Sequence, residues 1–144
     1  MKTLLKKVIN PGHYPANISI SLLFLRVVTG VFMLTHGYGK FLMLIGDAPI
    51  QFPDPIGVGA TASLSLVVFA EFLCSILLIF GFMTRLSAIP LLTTMLVAAL
   101  IFHAQDPFAN RELALLYSAV FMVYIITGAG RYSVDNWIYS KLRD

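Results

Sequence analysis

Residues 62–82 read ASLSLVVFAEFLCSILLIFGF, an apolar run in which Glu71 is the only charged residue. A helix needs about 20 apolar residues to cross the hydrocarbon core of a bilayer, so this run predicts a transmembrane helix. A carboxylate at that depth is costly and must face a partner, a proton or a water-filled site. We therefore expect Glu71 to point into the interior of a helical bundle.

Three further apolar runs surround this one and complete the predicted architecture. They lack the residue alternation of barrel strands, and a helix satisfies every backbone polar group within its own span. The composition agrees, because 58% of the 144 residues are hydrophobic and only 12% are charged, against about 25% charged in a soluble domain. The sequence predicts an all-α integral membrane four-helix bundle, a single domain over residues 1–144 with spans at about 19–45, 62–82, 86–104 and 111–129.

The basic residues predict how the bundle is oriented in a bacterial inner (plasma) membrane. Those near the termini and in the turn between the second and third spans are Lys2, Lys6, Lys7, Arg85, Arg131, Lys141 and Arg143. Cytoplasmic segments carry an excess of Lys and Arg, so both termini are expected in the cytoplasm. No run of these residues is long enough to follow a phosphate backbone, which argues against a nucleic-acid partner.

The only long connection, residues 46–61, is then expected on the extracytoplasmic side of the membrane. Its prolines and glycines argue against a long helix. Its apolar residues, among them Phe52 and Ile56, leave two interpretations open. The loop either folds back as a lid over the outer mouth of the bundle or is a simple ordered connector.

The ionisable residues of the first span fall on one helix face. At 100° per residue, Arg26, His36 and Lys40 lie within an arc of about 120°, together with Gly30 and Gly37. Glycines allow another helix to approach closely. This face is therefore expected to point into the bundle.

A buried ion pair between Arg26 and Glu71 is the expected contact across the bundle. The two residues differ in depth by only about 6 Å when 1.5 Å of rise is counted per residue. Such a pair fits either a proton or quinone site or a purely structural contact between helices. Lys40 is expected to pair with Glu112 across the outer face.

His36 and His103 are expected at a similar depth near the outer side. Two histidines could hold a haem between helices, but only the matching depth supports this, and we expect no haem. Proton exchange with a quinone headgroup suits an imidazole better, because an imidazole titrates near neutral pH. The one cysteine, Cys74, excludes an internal disulfide and is expected to be buried and inert.

The C-terminal stretch 128–135, GAGRYSVD, is typical of a helix stop followed by a new helix start. Ser133 or Asp135 is expected to cap a short amphipathic helix. Trp137 and Tyr139 in that helix are expected at the level of the lipid headgroups.

Three motifs give the chain a resemblance to the DoxX family. They are LR at 25–26 leading to HGYGK at 36–40, Glu71 followed by LLIFGFMTR at 77–85, and GAGRYSVD at 128–135. The resemblance covers almost the whole chain and implies a four-helix inner-membrane protein associated with oxidoreductase systems. Family members include the large subunit of an archaeal thiosulfate:quinone oxidoreductase and membrane partners in complexes that handle thiol and superoxide stress. The family pattern maps onto Arg26, His36, Lys40, Glu71, Arg85, Glu112 and Arg131.

These observations favour a membrane subunit of an oxidoreductase system that interacts with quinone or with a redox partner protein. The expected catalytic residues are Glu71, His36 and Lys40. The expected quinone-binding residues are Arg26, His103 and Glu112. No metal motif, phosphate loop or flavin fingerprint is recognisable, so electrons would come from a partner protein or a thiol substrate.

Two other functions fit the same sequence. The chain could be a non-catalytic membrane anchor or assembly partner for a soluble enzyme, with its ionisable residues holding the bundle together. It could also transport a small solute, which four short spans without inverted repeats make less attractive unless the chain forms an oligomer. The expected partners are the lipid bilayer and either another protein or further copies of this chain.

Overall fold

The computed structural model describes residues 6–142, and all regular secondary structure within them is helical. Lys2 and Arg143, two of the basic residues behind the predicted orientation, lie outside the described residues. Four helices are long and apolar enough to cross a membrane: α1 (Ala16–Ile45), α2 (Ala60–Phe80), α3 (Thr84–Phe102) and α4 (Phe108–Thr127). A short helix, α5 (Val134–Lys141), follows α4. The predicted all-α membrane bundle is confirmed, and each long helix begins and ends within three residues of its predicted span.

The turn between α2 and α3 shows how the local sequence ends a helix. Gly81 adopts a left-handed conformation with φ 67°. The amides of Gly81 and Phe82 donate to the carbonyls of Leu78 and Leu77. Amides beyond the helix thus satisfy its last carbonyls. Because Gly tolerates this φ without strain, the chain reverses within three residues and starts α3 antiparallel to α2.

Helix α1 packs along α2, and α3 packs along α4. Buried side chains from all four helices form the core between them, including Leu22, Leu78, Leu91, Phe121 and Tyr124. Large apolar side chains on the opposite faces, such as Phe24 and Ile126, are exposed. In a bilayer these outer faces contact lipid, so the fold buries polar groups inside and presents hydrocarbon outside.

The close approach of α1 and α2 depends on two glycines, as the sequence predicts. A Cβ at Gly37 would lie 2.6 Å from the carbonyl carbon and oxygen of Glu71. A Cβ at Gly30 would lie 2.6 Å from Cγ1 of Ile79. At Gly37 the obstructing atoms belong to the backbone and cannot rotate away. Gly37 therefore sets the distance between α1 and the backbone of Glu71.

Replacing Gly37 by Ala is expected to lower the stability of the bundle, because the new methyl group forces α1 away from Glu71. Overpacking of this kind costs roughly 1–3 kcal/mol. Gly39→Ala is the matched control, since a Cβ at Gly39 meets nothing within 4 Å. Thermal unfolding in detergent micelles measures both variants. Equal unfolding midpoints for Gly37→Ala and Gly39→Ala would contradict this packing.

Candidate functional site

A cavity of about 550 Å³ lies between α2 and α3. Pockets of roughly 300–1,000 Å³ are typical of small-molecule sites, which combine apolar walls with a few polar groups. Most of this lining is apolar, and its ionisable side chains are Lys40, Glu71 and His103. The loop 46–59 completes the wall with Phe52, Pro53, Pro55 and Ile56.

Asp54 fixes the shape of the loop 46–59 over this cavity. Its carboxylate accepts hydrogen bonds from the amides of Val58 (3.0 Å) and Gly59 (2.7 Å) and from the hydroxyl of Ser63 (2.7 Å). These donors, above all the Ser63 hydroxyl, hold the pKa of Asp54 below its usual range. Because Ser63 lies in the first turn of α2, the bonds tie the loop to the start of that helix. The loop therefore contributes a wall of the cavity besides connecting α1 to α2.

Lys40 and Glu71 form an ion pair at the cavity wall, with Nζ of Lys40 donating to Oε2 of Glu71. The Glu71 side chain is 4% exposed, and the Lys40 side chain is 29% exposed. A carboxylate that is buried away from water needs a charged or hydrogen-bonded partner. Lys40 supplies this partner from the neighbouring helix. The negative charge of Glu71 is therefore balanced inside the bundle.

The expected pairing of Arg26 with Glu71 is wrong, and so is the expected pairing of Lys40 with Glu112. Gly37 brings α1 against the backbone of Glu71, and Lys40 lies about one turn further along the same helix face. Arg26 precedes Lys40 by 14 residues, roughly 21 Å along the helix axis. Depths counted from the predicted ends of the spans placed Arg26 and Glu71 too close together.

Two π-helical segments border the same cavity. Residues Phe69–Cys74 of α2 are π-helical and include Glu71. Residues Ala98–Phe102 of α3 are also π-helical, and His103 follows directly. A π-helical turn shifts the side chains that follow it around the helix axis and is frequently found at functional sites. Glu71 lies within one segment and His103 follows the other, and both side chains line the cavity. Apolar periodicity in the sequence gives no signal for the π-helical segments.

His103 lies at the mouth of the cavity, one residue after the end of α3. Its Nδ1 is 2.6 Å from Oδ2 of Asp106, and the two side chains are 31% and 41% exposed. The hydrogen bond with His103 lowers the pKa of Asp106 below its usual range. Asp106 therefore remains charged and orients the imidazole. Asp106 was not predicted as a site residue, although its spacing of three residues from His103 beside a helix end was a usable signal.

Arg26 lies away from the cavity, at the end of the bundle that contains the α2–α3 turn. It is 1% exposed, and its guanidinium donates to the carbonyls of Ala129 (3.0 Å) and Tyr132 (2.8 Å). A Cβ at Gly81 would lie 2.2 Å from Nη1 of Arg26, so the guanidinium is tightly enclosed. Arg26 ties α1 to the segment that follows α4.

Asp135 and Ser133 complete this end of the bundle. The hydroxyl of Ser133 accepts a hydrogen bond from the amide of Asn136 at 3.1 Å, which confirms the predicted cap of α5. Asp135 caps a different helix, because its carboxylate accepts from the amides of Met83 (2.7 Å) and Thr84 (2.9 Å) at the start of α3. Burial raises the pKa of Asp135, while the amides of Thr84 and Met83 and the charge of Arg26 oppose that rise.

His36 and Glu112 do not line the cavity. His36 is exposed on α1, and Glu112 is exposed on α4. The expectation that the whole ionisable face of α1 points inward is therefore wrong at His36, although Arg26 and Gly37 on that face are buried. His36 lies at the edge of the predicted arc, where a small rotation of the helix turns a side chain outward. The structure thus brings Lys40, Glu71 and His103 together and leaves Arg26, His36 and Glu112 elsewhere.

These features define the class of protein: a membrane-embedded four-helix bundle, tied at one end by Arg26 and Asp135, with an ion pair at an apolar cavity towards the other end. The chain belongs to the DoxX family, whose family model matches residues 21–104. The matched residues include Lys40, Glu71 and His103, the ionisable side chains of the cavity.

Comparison with known proteins agrees with this assignment. The chain is 35% identical to an uncharacterized protein of Haemophilus influenzae, covering 83% of this chain and 92% of that protein. It is 30% identical to inner membrane protein YqjF of Escherichia coli, with coverages of 85% and 95%. A Bacillus subtilis protein named "Putative oxidoreductase CatD" is 27% identical, with coverages of 83% and 88%. No solved structure matches the chain with comparable significance. The four apolar helices and these relatives identify a multi-pass protein of the bacterial inner membrane.

Substitutions at the two ends of the Lys40–Glu71 ion pair are expected to lower stability by different amounts. Lys40→Met leaves a deeply buried carboxylate without its cation, at a cost of about 3 kcal/mol. Glu71→Leu is expected to cost less, because the Lys40 ammonium is more exposed and its flexible stem can carry it to water. The double variant should recover most of the loss, since neither charge is left alone. Unfolding titrations with a denaturing detergent measure the free energy of unfolding of all three variants. A double variant no more stable than Lys40→Met would show that the two residues do not interact.

Arg26→Met is expected to lower stability mainly through the loss of hydrogen bonds to backbone carbonyls. Its guanidinium makes two hydrogen bonds to backbone carbonyls, and hydrogen bonds from charged groups contribute about 1.5–3 kcal/mol each. Arg131→Met is the control, because Arg131 is an exposed arginine in the same segment. An unfolding midpoint for Arg26→Met that equals those of Arg131→Met and the parent would contradict the structural role.

Proposed function

We propose that this protein is the membrane subunit of an oxidoreductase system and that it binds a quinone in the cavity between α2 and α3. The observation that carries the proposal is the Lys40–Glu71 ion pair at the wall of a large and otherwise mostly apolar cavity. A quinone has an apolar ring with two carbonyl oxygens, so its site needs apolar walls, a hydrogen-bond donor and a route for protons. The name of the Bacillus subtilis relative supports oxidoreductase chemistry.

The ionisable side chains of the cavity fit distinct roles towards such a ring. Lys40, held by Glu71, donates a hydrogen bond to one quinone oxygen. His103, oriented by Asp106 at the mouth of the cavity, exchanges protons between the cavity and the surrounding water. Reduction of a quinone to a quinol takes up two electrons and two protons. We assign the electrons to a reduced redox protein that docks on the bundle, and the protons to acid–base exchange through Lys40, Glu71 and His103.

The cavity wall also offers a route for a membrane-soluble ligand. Leu66, Phe69, Ile89 and Phe102 line the cavity, and each is about half exposed. Side chains on the outside of a transmembrane bundle face lipid, so this wall borders the bilayer. A quinone dissolved in the bilayer can therefore enter sideways between α2 and α3 without crossing an aqueous phase.

Quinone retained by the purified protein tests this function directly. Protein extracted from native membranes into polymer nanodiscs should carry quinone, detected by mass spectrometry of its extracted lipids. Lys40→Met and Glu71→Gln should lower the amount of quinone per protein several-fold. Glu112→Gln is the matched control, since it removes a carboxylate outside the cavity, and should retain the parental amount. Parent protein without quinone that co-purifies with a soluble protein in fixed ratio would contradict the proposal and favour a membrane anchor.

We also propose that both termini lie in the cytoplasm. The charged residues of the described chain support this, because basic residues collect at the end of the bundle with the α2–α3 turn and acidic residues at the other end. The first end carries Lys6, Lys7, Arg85, Arg131 and Lys141, with Asp135 as the opposing charge. The other end carries Asp47, Asp54, Asp106 and Glu112, with Arg111 as the opposing charge. Lys and Arg are enriched in cytoplasmic segments, so the loop 46–59 and the mouth of the cavity would face outward.

Cysteine labelling in spheroplasts tests this orientation. In a Cys74→Ser background, Gln51→Cys places a thiol in the loop 46–59 and Ser140→Cys places one in α5, and both positions are exposed. A membrane-impermeant maleimide should label Gln51→Cys in intact spheroplasts and Ser140→Cys only after permeabilisation. The reverse pattern would show that the bundle is inserted the other way round.

A further inference from the structure

A second cavity, of about 270 Å³, lies along the same α2–α3 seam. It shares Phe69, Ile89 and Pro90 with the first cavity, so the two cavities adjoin and together form a groove along the seam. The second cavity extends the groove past Cys74 to Leu86, close to the α2–α3 turn. Between Leu86 and His103 the groove follows α3 for 17 residues, which is roughly 25 Å of helix.

The second cavity, hereafter the lower groove, has few polar side chains that could bind a polar ligand. Its polar side chains are Ser87 and Cys74, and the Ser87 hydroxyl already donates to the carbonyl of Phe82 at 3.3 Å. A water molecule is held in a cavity only where several polar groups can bind it. The lower groove therefore suits a hydrocarbon chain.

The flank of the lower groove is open towards the bilayer. Phe69, Leu86 and Ile89 line it and are each about half exposed. Pro90 lies inside α3 and lines the lower groove with its compact apolar ring. An unfilled gap here would lose dispersion contacts on both helices, so a chain that fills the seam is favoured.

We propose that this lower groove binds the isoprenoid tail of the quinone whose ring lies beside Lys40 and Glu71. The inference rests on the proposed function and adds the class of quinone, one with a long hydrocarbon tail. The lower groove adjoins the ring cavity at Phe69, Ile89 and Pro90, which favours one ligand that reaches both. A single molecule with a polar head and an apolar tail fits both parts, whereas the acyl chain of a phospholipid would leave its headgroup outside the cavity.

Binding of two quinone analogues to protein in nanodiscs tests the proposal. One analogue is the dimethoxy-methyl-benzoquinone ring alone, and the other carries the same ring with a tail of three isoprene units. The tailed analogue should bind the parent about tenfold more tightly than the ring alone, after correction for its partition into the lipid, because the tail gains packed contacts in the groove. Leu86→Trp fills the far end of the groove and should remove most of this difference while the ring alone binds as before.

Leu100→Trp is the matched control, since Leu100 is an exposed leucine of the same helix that lines neither cavity. Each analogue partitions into the lipid equally for every variant. A difference in affinity between variants is therefore due to the protein. If the tail raises the affinity equally in the parent, Leu86→Trp and Leu100→Trp, the proposed tail site is wrong. Ring binding without any gain from the tail would also overturn it and leave the proposed function intact. No binding of either analogue would overturn both.

Photocrosslinking of the parent protein provides a measurement that needs no variant. A tailed analogue with a diazirine at the end of its tail should label residues around the lower groove, such as Leu77 and Leu86, which line it. Competition by excess tailed quinone should suppress this labelling. Labels spread over the outer faces of α1 and α4, or labelling that excess quinone does not reduce, would overturn the proposal.

Discussion

Glu71 keeps its carboxylate inside a transmembrane helix because Lys40 reaches it from the neighbouring helix. The contact requires that α1 and α2 lie unusually close, which Gly37 allows by removing any side chain that would strike the backbone of Glu71. Glu71 also lines the cavity and lies within the π-helical segment of α2. Charge, helix spacing and local helix geometry are therefore linked at a single position. A change in any of them alters the cavity as well as the stability of the bundle.

The two ends of the bundle use their polar residues in different ways. At the end with the α2–α3 turn, Arg26, Arg85 and Asp135 bond mainly to backbone carbonyls and amides of other segments. These bonds satisfy backbone groups at helix ends and in turns, so they hold the segments together. Towards the other end, Lys40, Glu71 and His103 line the cavity between α2 and α3, which is large enough for a small-molecule ligand. The first group positions helices, and the second group is available for chemistry.

The sequence predicts the helices well because their physical signal is local. Apolar runs bounded by Gly and Pro locate the four spans, and the glycine spacing on α1 predicts its approach to α2. Ser133 or Asp135 is predicted as a helix cap from its position before a short amphipathic segment. Each of these features depends on residues that are neighbours in the chain.

The site is predicted less completely because it depends on relations between helices. Glu71 and Lys40 are both recognised as interior residues, but their pairing follows from a helix offset that counting residues cannot fix. A modest rotation of α1 turns His36 outward, and the π-helical segments have no signature in apolar periodicity. The roles of Asp106 beside His103 and of Asp54 within the loop likewise become evident only when the backbone is in place.

We propose that the carboxylate of Glu71, paired with Lys40, faces a bound quinone. An infrared difference spectrum between the oxidised and reduced quinone in nanodiscs detects carboxyl groups whose protonation or hydrogen bonding changes with the reaction. We expect a carboxyl signal that disappears in Glu71→Gln and persists in Glu112→Gln. With quinone bound to each protein, a spectrum of Glu71→Gln identical to that of the parent would contradict the claim.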